Sequence, residues 1–331
     1  SGPYPSLVFN GEQGTGKTMR TRMLRRFSDP NAAPVRRMPK NGDDMMISAL
    51  NSWIVAYDNL SYVPGWFADG LCSLSTGISG TKRTLYTDTE ETIISAMRPL
   101  ILNGIELVAT APDLIDRSIV LTTTALPRRL PEEKVNCLFD SVFPGVLGAL
   151  LDAVSLGLCR YRQVDQDFEE FRMADFTQWV VACEPRLPWS DGAFLDAYAA
   201  NRSSAKVTVL DAVPVVPILV SFLAEQPDGY WIGSSTTLVS ELRGRVEFDR
   251  KLLDHLPRTA KGLIGCLQRN GPALRECYGI GFRQERPRDG QGNRRRILTV
   301  GDLAAADENE GPSQPRLLFN DDDADADASA A

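Results

Sequence analysis

The stretch Gly11-Glu12-Gln13-Gly14-Thr15-Gly16-Lys17-Thr18 decides the fold, because it fits the pattern G-x-x-x-x-G-K-[ST]. Glycines in such a loop let backbone N–H groups wrap around a phosphate, and a following helix directs its positive N-terminus at the same anion. In this pattern Lys17 neutralises the β- and γ-phosphates, and Thr18 offers a hydroxyl to Mg²⁺. Residues 11–18 are therefore predicted to bind ATP and Mg²⁺.

The segments on either side of this loop supply the context that the motif requires. An apolar strand at residues 6–9 runs into the loop, and a helix with a basic face follows at 16–27. Three more short, apolar, β-rich runs are separated by helical or loop stretches: Ser52–Tyr57, Pro99–Asn103 and Ser118–Thr122. This alternation predicts an α/β fold, a parallel sheet with helices on both faces.

Three polar residues stand at the ends of these strands. Asp58 follows the second apolar run, where a carboxylate can hold the water shell of Mg²⁺. Asn103 ends the third run and can orient a water against the γ-phosphate, unless it is only a turn asparagine. Arg117 precedes the last strand and could meet a neighbouring subunit's nucleotide, unless it forms an internal ion pair with Asp113 or Asp116.

This order of loop, strand-aspartate, strand-asparagine, arginine and helical region resembles the AAA+ P-loop ATPases. It is most similar to the replicative ring helicases of phages and mobile elements, near the superfamily III and MCM-like branches and the C-terminal region of primase-helicases. The resemblance covers about residues 5–200, and a C-terminal winged helix often accompanies it.

The resemblance implies a role for each motif. Lys17 and Thr18 would be Walker A, Asp58 Walker B, Asn103 sensor 1, and Arg117 an arginine finger acting on the next subunit of a hexameric ring. Arg172 opens a lid helix where sensor 2 is expected; the alternative is a surface arginine at a helix N-terminus.

One position departs from the family pattern. An acid usually follows the Walker B aspartate to polarise the attacking water, but here the residue is Asn59. An amide cannot accept a proton at neutral pH. The catalytic base is therefore Glu12, Glu90 or Glu91, or else hydrolysis is slow.

The segment Thr76–Tyr86, between Walker B and sensor 1, has a glycine-rich turn, a Lys-Arg pair and alternating flanks. This pattern predicts a β-hairpin. In the helicases that the chain resembles, such a hairpin projects into the central pore and grips DNA, which makes Lys82 and Arg83 predicted DNA contacts. The alternative is a solvated loop.

The C-terminal part of the chain changes character twice. Residues 140–200 have helical periodicity and predict a lid, whereas three later helices and a hairpin at Gly281–Val300 outline a winged helix. Its cations predict phosphate contacts with DNA, and a protein-binding winged helix is the alternative. The predicted contacts are Arg258, Lys261, Arg269, Arg283, Arg286, Arg294, Arg295 and Arg296.

The predicted domains are an ATPase core at 1–130, a helical lid at 131–204, a winged helix at 205–302 and a disordered acidic tail at 303–331. Nine acids and one arginine give residues 302–331 a charge of −8, so the rest of the chain, at +1, is nearly neutral. Residues 256–300 carry ten bases and three acids, or +7. The tail could therefore fold over the basic module and compete with DNA.

Composition limits where the protein works. No apolar run approaches the ~20 residues that span a bilayer, and no signal peptide is visible, so a cytoplasmic protein without membrane contact is expected. Six scattered cysteines without a CxxC pair, and a single histidine, predict buried thiols rather than a zinc site. Ser1-Gly2-Pro3 reads as a cloning remnant, and we expect an N-terminal region to precede it in the natural protein.

Three functions fit these features. The first is an ATP-driven DNA helicase or translocase that replicates a phage, prophage or mobile element. The second is an origin-binding or loader-type ATPase that uses ATP as a switch without unwinding DNA, which Asn59 favours. The third is a nucleotide-dependent phage-defence regulator with a protein partner.

Overall fold

The computed structural model of the chain describes residues 2–83, 91–105, 111–285 and 297–309, with side chains described except at 78–83, 91–94 and 307–309. Two compact units divide the chain, residues 1–205 and 206–331. The boundary between them lies one residue from the predicted start of the C-terminal domain. A separate ATPase core that ends at residue 130 stays a prediction.

The first unit is built on a parallel sheet of four strands in the order β2-β5-β1-β6. Its six described strands are β1 (Ser6–Asn10), β2 (Val55–Leu60), β3 (Ile78–Arg83), β4 (Glu91–Ala96), β5 (Leu100–Gly104) and β6 (Ser118–Thr122). Helices flank the sheet, as the sequence predicted. The sheet is short but deeply buried, since Val8, Val55 and Leu102 are at most 1% exposed.

Seven helices belong to this part of the chain: α1 (Lys17–Ser28), α2 (Gly42–Leu50), α3 (Gly65–Thr76), α4 (Pro112–Asp116), α5 (Glu132–Arg160), α6 (Ala174–Cys183) and α7 (Ala193–Asp211). Of these, α2, α3 and α4 were not predicted. Asn41 caps α2 by accepting the N–H of Asp44 at 2.9 Å, a start signal present in the sequence.

Strands β3 and β4 form a β-hairpin as a separate antiparallel pair, but its turn is not where the sequence predicted, because Gly77 directly precedes β3 and Gly80 lies within it. Their register runs from Ile78 opposite Ala96 to Arg83 opposite Glu91. Lys82 and Arg83 thus lie at the end of β3 that leads into the connection at 84–90. Their side chains, and that connection, lie outside what the structure describes, so DNA contact here stays a prediction.

Helix α1 does not present one continuous basic face. Arg25, expected on that face, is 1% exposed and forms an ion pair with Asp29. Asp29 also accepts the backbone N–H of Ile54 at 2.9 Å, just before β2. Helical periodicity alone cannot show that Arg25 is buried, because its acidic partner, Asp29, lies just beyond the end of α1.

Helix α5 is the longest helix and the most exposed. Its N-terminal half is fixed to α1 by ion pairs from Arg22 to Glu132 and from Arg26 to Asp140, and by stacking of Phe27 on Phe143. Most of its apolar side chains, however, face solvent: Leu138, Val142, Val146, Leu150, Leu151, Val154 and Leu158.

The exposure of α5 corrects two expectations. Residues 132–163 contain an 18-residue stretch with a mean hydropathy of 1.9, of which 11% is buried, and they are long and apolar enough to cross a membrane by length and composition alone. The expectation that no segment approaches this length is therefore wrong. Cys137 and Cys159 on α5 are exposed, so the prediction of buried thiols also fails for these two.

The edge strand β6 is covered by α7. Asn201 uses its side-chain amide like a strand backbone, accepting from Val120 N at 2.9 Å and donating to Val120 O at 2.7 Å. Arg202 beside it bonds to Glu170 O and to Asp116. These contacts close an edge that would otherwise expose unpaired backbone groups.

The second unit contains α8 (Val215–Ala224), β7 (Tyr230–Gly233), α9 (Ser235–Gly244), α10 (Arg250–His255), α11 (Ala260–Tyr278), β8 (Gly281–Glu285), β9 (Ile297–Gly301) and α12 (Leu303–Asn309). The predicted hairpin is present as β8 and β9, joined by an unpredicted third strand in the antiparallel order β7-β9-β8. Its core joins helices to sheet through Leu219, Leu238, Leu263 and Leu298.

The sequence predicted that the acidic tail is disordered from residue 303, but the structure has helix α12 at its start. Asp302 Oδ1 accepts the N–H groups of Ala304 and Ala305 and so starts α12, and Ala306 is fully buried. The capping Asp302 and the buried Ala306 thus hold the start of the tail in a helix. Residues 310–331 lie outside the described ranges, so a deletion that tests the tail should begin after Asn309.

Removal of the Asp29 carboxylate should strongly destabilise the first unit. Asp29→Ala leaves the buried Arg25 guanidinium without its partner, and we expect a loss of about 3–5 kcal/mol. The matched control is Asp140→Ala, which breaks a largely exposed pair and should cost about 0–1 kcal/mol.

Urea unfolding followed by tryptophan fluorescence measures both variants. In a Trp231→Phe background the four remaining tryptophans all lie in the first unit, at 53, 66, 179 and 189. Equal losses for the two variants would show that the Arg25–Asp29 pair does not fix α1 to β2.

Candidate functional site

The loop at 11–18 links β1 to α1 and depends on glycine at two positions. A methyl group on Gly11 would lie 2.4 Å from the carbonyl oxygen of Thr123, so only glycine fits this close approach. Gly14 has φ of 82°, in the left-handed region that side chains disfavour. The first turn of α1 contains no acid and no side-chain cap, so its N–H groups remain available to an anion.

Lys17 folds back over this loop. Its Nζ donates to the carbonyl oxygens of Gly11 and Glu12, both at 2.7 Å. Burial lowers the pKa of this ammonium, the carboxylate of Asp58 opposes that shift, and the nearby Arg20 adds to it. The ammonium of Lys17 therefore makes its hydrogen bonds to the same loop in which the lysine lies.

Beneath the loop lies a hydrogen-bonded chain of four side chains. Thr18 Oγ1 donates to Asp58 Oδ2 at 2.8 Å, and Asn103 Nδ2 donates to Asp58 Oδ1 at 3.0 Å. Asn103 Oδ1 in turn accepts from Thr21 Oγ1 at 3.1 Å. Asn103 and Thr21 are fully buried, which excludes Asn103 as a simple turn residue.

Sheet order explains why these residues meet. Strand β5 lies between β2 and β1, so Asn103 is placed between Asp58 and the start of α1. The carboxyl ends of parallel strands share one edge of a sheet, and the loop lies at that same edge. Sequence reasoning found Asp58, Asn103 and Thr18 but missed Thr21, whose spacing of one helical turn from Thr18 was the available signal.

Asn59 has a structural reason to be an asparagine. Its φ is 58°, the only non-glycine residue of the described chain in this left-handed region, and the β2–β5 register shifts between Tyr57 and Leu60. Asparagine tolerates this conformation better than most residues. Its N–H donates to Asp58 Oδ1 at 2.9 Å, so Asn59 helps to hold the aspartate.

The alternative bases are not brought into this group. Glu12 is exposed on the loop and contributes its backbone carbonyl to Lys17. Glu90, and the side chain of Glu91, lie outside the described part of the structure. The identity of a catalytic base stays a prediction.

A segment after β6, residues 123–129, lies against the loop and was missed by the sequence analysis. Thr123 Oγ1 lies 2.7 Å from Thr15 Oγ1 and donates to Asn10 O at 3.0 Å. A methyl group on Gly14 would lie 2.6 Å from Nη2 of Arg129. The Arg128-Arg129 pair directly after a predicted core strand was the one signal that could have indicated this contact.

Arg117 and Arg172 lie elsewhere. Arg117, 11% exposed, forms an ion pair with Asp113, and Arg172 Nη2 lies 3.9 Å from the same carboxylate. The backbone oxygen of Arg117 accepts the N–H of Ser6, at the amino end of β1. This is the opposite edge of the sheet from the loop, about 13 Å away along β1.

The charge of Arg117 is stabilised locally. Burial opposes it, but hydrogen bonding to Asp113 and the charge of that carboxylate outweigh burial and raise the pKa of the guanidinium. An internal pair, the alternative named from the sequence, is thus present. The roles of Arg117 as a finger and of Arg172 as sensor 2 stay predictions, and the structure does not bring Arg172 to Lys17.

The cations predicted to contact DNA separate into three groups. Lys261 and Arg269 lie on the exposed face of α11, together with Arg275, which the sequence analysis did not single out. Arg258 pairs with Asp254, and Arg283 pairs with Glu285. The remaining predicted contacts lie outside the described residues: Arg286, Arg294, Arg295 and Arg296.

The residues around the loop suit a phosphorylated ligand with Mg²⁺. Uncapped helix N–H groups, close-packed glycines and Lys17 together form a cradle for phosphate. Mg²⁺ keeps several waters and takes few protein oxygens, which fits the Thr18 hydroxyl and the Asp58 carboxylate. Within the described residues no cluster of three or more His, Cys, Asp or Glu could hold a metal by itself.

The fold and this site define an α/β protein with a phosphate-binding-loop sequence at the carboxyl edge of a parallel sheet. Residues 1–204 match the family described as actinomycete integrative conjugative element replication protein, and residues 215–312 match the C-terminal domain of the RepA proteins of these elements. The chain belongs to this family.

Solved structures add only distant likenesses. Two apo A-form structures of the C-terminal region of NrS-1 are 12% and 13% identical to the chain, with TM-scores of 0.34 and 0.36. Each comparison covers 90% of this chain, which spans 66% of the other, just under two thirds of its length. No curated protein matches the chain.

The lowered pKa of Lys17 should depend on Asp58. Asp58→Asn removes the attractive charge, so we expect the pKa of Lys17 to fall further. Because its folded-state pKa lies below its unfolded value, stability should rise with pH between the two values. Carbon-13 NMR of reductively methylated lysines measures this titration, with Lys17→Arg to assign the signal.

Lys40, exposed on the surface, serves as the internal control and should titrate identically in both proteins. A Lys17 pKa that stays constant or rises in Asp58→Asn would show that the two groups do not interact through space.

Proposed function

We propose that the chain is an AAA+-type P-loop ATPase that drives a DNA helicase or translocase during replication of its mobile element. One observation carries this proposal: the hydrogen-bonded chain from Thr18 through Asp58 to Asn103 beneath the glycine loop. A phosphate-binding sequence alone is moderately specific. Joined to a strand carboxylate and an intervening strand amide, it offers groups that would hold a nucleotide with Mg²⁺ and orient a water beside it.

Each residue would then have a separate task. Lys17 would exchange its carbonyl partners in the loop for the oxygens of the phosphate chain. Thr18 and Asp58 would hold Mg²⁺, which when bound neutralises phosphate charge. Asn103 bonds to both Asp58 and Thr21, so its amide has a fixed orientation from which to position a water.

The second unit supports a role in DNA binding. Its order of helix, strand, three further helices and a hairpin, with the first strand pairing to the last, supports the proposal of a winged helix. Its longest helix, α11, presents Lys261, Arg269 and Arg275 to solvent. Exposed cations on one helix face suit the phosphates of a duplex.

Assembly into a ring is part of the proposal. Arg117 lies at the sheet edge opposite the loop, so it is positioned to act on a neighbouring copy rather than on its own nucleotide. To do so it must leave Asp113. Release of this pair on assembly would make turnover depend on oligomerisation.

A second function is favoured by Asn59. An amide that cannot accept a proton follows Asp58 and is bonded to it through its N–H. A protein with this arrangement could bind ATP tightly, turn over slowly and act as a switch at an origin or as a loader. The family match concerns replication, and so gives no support to a phage-defence regulator.

Single-stranded DNA should stimulate ATP hydrolysis by the chain. Lys17→Ala should lower the turnover rate about a hundredfold or more, since it removes the main cation that would bind the phosphates. The double variant Lys82→Ala/Arg83→Ala should keep basal turnover but lose stimulation. A coupled-enzyme assay with and without DNA, beside a strand-displacement assay, measures both.

Lys134→Ala, an exposed lysine of α5, is the matched control and should behave like wild type. In the same assay Arg117→Ala should bind ATP but not turn it over. Tight ATP binding without turnover, in an oligomer and with DNA present, would contradict the motor and favour the switch.

Binding of duplex DNA should depend on the exposed face of α11. Arg269→Ala and Arg275→Ala should each weaken binding and reduce the slope of log affinity against log salt by about one. Fluorescence anisotropy at several salt concentrations measures this slope. Lys251→Ala on α10 removes the same charge from another helix; an equal effect there would show that α11 has no special role.

A further inference from the structure

The loop at 11–18 is contacted by a cation that no role accounts for. Arg129 belongs to the connection between β6 and α5, and its guanidinium lies over Gly14 in the middle of the loop. A methyl group on Gly14 would lie 2.6 Å from Nη2 and 3.3 Å from Cζ of this arginine. The three atoms nearest to that methyl position, chain neighbours of Gly14 aside, all belong to Arg129.

This placement is built by neighbouring contacts. Thr123 is bonded to Thr15 and to Asn10, and Leu126 Cδ1 would lie 3.6 Å from a methyl group on Gly16. The connection therefore contacts the loop at three glycines, since Thr123 lies against Gly11, Leu126 against Gly16 and Arg129 against Gly14.

More cations than acids lie around the loop. Arg129 is exposed, and among the described residues none forms an ion pair or hydrogen bond with it. Lys17 and Arg20 bond to backbone carbonyls of the loop, and Asp58 is engaged by Thr18 and Asn103. Three cations thus lie around one loop with two acids, the bonded Asp58 and the exposed Glu12 of the loop itself, and this positive excess suits a polyphosphate.

We propose that Arg129 binds the phosphate chain of the nucleotide in the same subunit, the task that the resemblance gave to Arg172. This rests on the proposed nucleotide binding. Arg172 lies with Asp113 at the opposite edge of the sheet, whereas Arg129 already lies at the loop. Because only two residues separate it from α5, a phosphate contact would also fix the start of that helix.

The test uses the full chain and a fluorescent ATP analogue, displaced by ATP or by inorganic tripolyphosphate, with Mg²⁺ present. Arg129→Ala should weaken both competitors by about tenfold, the value of a lost hydrogen bond to a charged group. Arg129→Lys should recover part of this loss. The matched control is Arg128→Ala, the exposed neighbour, which should bind like wild type.

The outcomes separate this inference from the proposed function. If Lys17→Ala loses binding but Arg129→Ala binds both competitors like wild type, the role of Arg129 is overturned and nucleotide binding stands. Weaker ATP binding with unchanged tripolyphosphate binding also overturns it, because the contact would then be to the nucleoside. If the wild-type chain binds neither competitor, the proposed function fails and this inference with it.

Thermal unfolding of the ligand-free proteins provides an independent measurement. Arg129 has no bonded partner among the described residues, so Arg129→Ala should unfold at the wild-type midpoint and gain less stability from ATP. A lowered midpoint without ligand in both Arg129→Ala and Arg129→Lys would show that the arginine supports the fold, and would overturn the proposal.

Discussion

The carboxylate of Asp58 connects the parts of the first unit on which its chemistry depends. One oxygen accepts from Thr18 on α1, and the other accepts from Asn103 on β5 and from the backbone of Asn59. This one carboxylate thereby fixes strand β2 to strand β5 and to helix α1, which follows the glycine loop. A charge-assisted network of this kind keeps its geometry only while every partner is present.

That constraint explains several features at once. Asn103 must be fully buried, since it bridges Asp58 and Thr21, and a nonpolar residue there would leave two polar groups unsatisfied. The N–H of Asn59 also donates to Asp58, and its left-handed backbone, at the register shift between β2 and β5, favours asparagine over most other residues. The feature that departs from the helicase pattern is thus part of the same local structure that holds the aspartate.

Much of this could be predicted from sequence because local patterns determine it. The four core strands, the glycine loop and the polar residues at the strand ends follow from periodicity and motif spacing. The burial of Arg25 does not, because the pair it forms with nearby Asp29 is completed by backbone groups of Pro34 and Ile54 that only the fold brings there. The contact of Arg129 with Gly14 likewise depends on a partner brought close only by the fold. Helix α12 was missed for a different reason: acidic composition outweighed one capping aspartate and one buried alanine.

Strand β6 relates the two arginines that remain to be assigned. Arg117 directly precedes this five-residue strand, and the connection that carries Arg129 directly follows it. One lies at the amino edge of the sheet beside Asp113, and the other at the carboxyl edge over the loop. Because the strand is short and paired along its whole length with β1, it holds these two ends of the sheet at a fixed separation. The residue proposed to act on a neighbouring copy and the one proposed to bind phosphate in the same subunit therefore lie on opposite sides of the same strand pair.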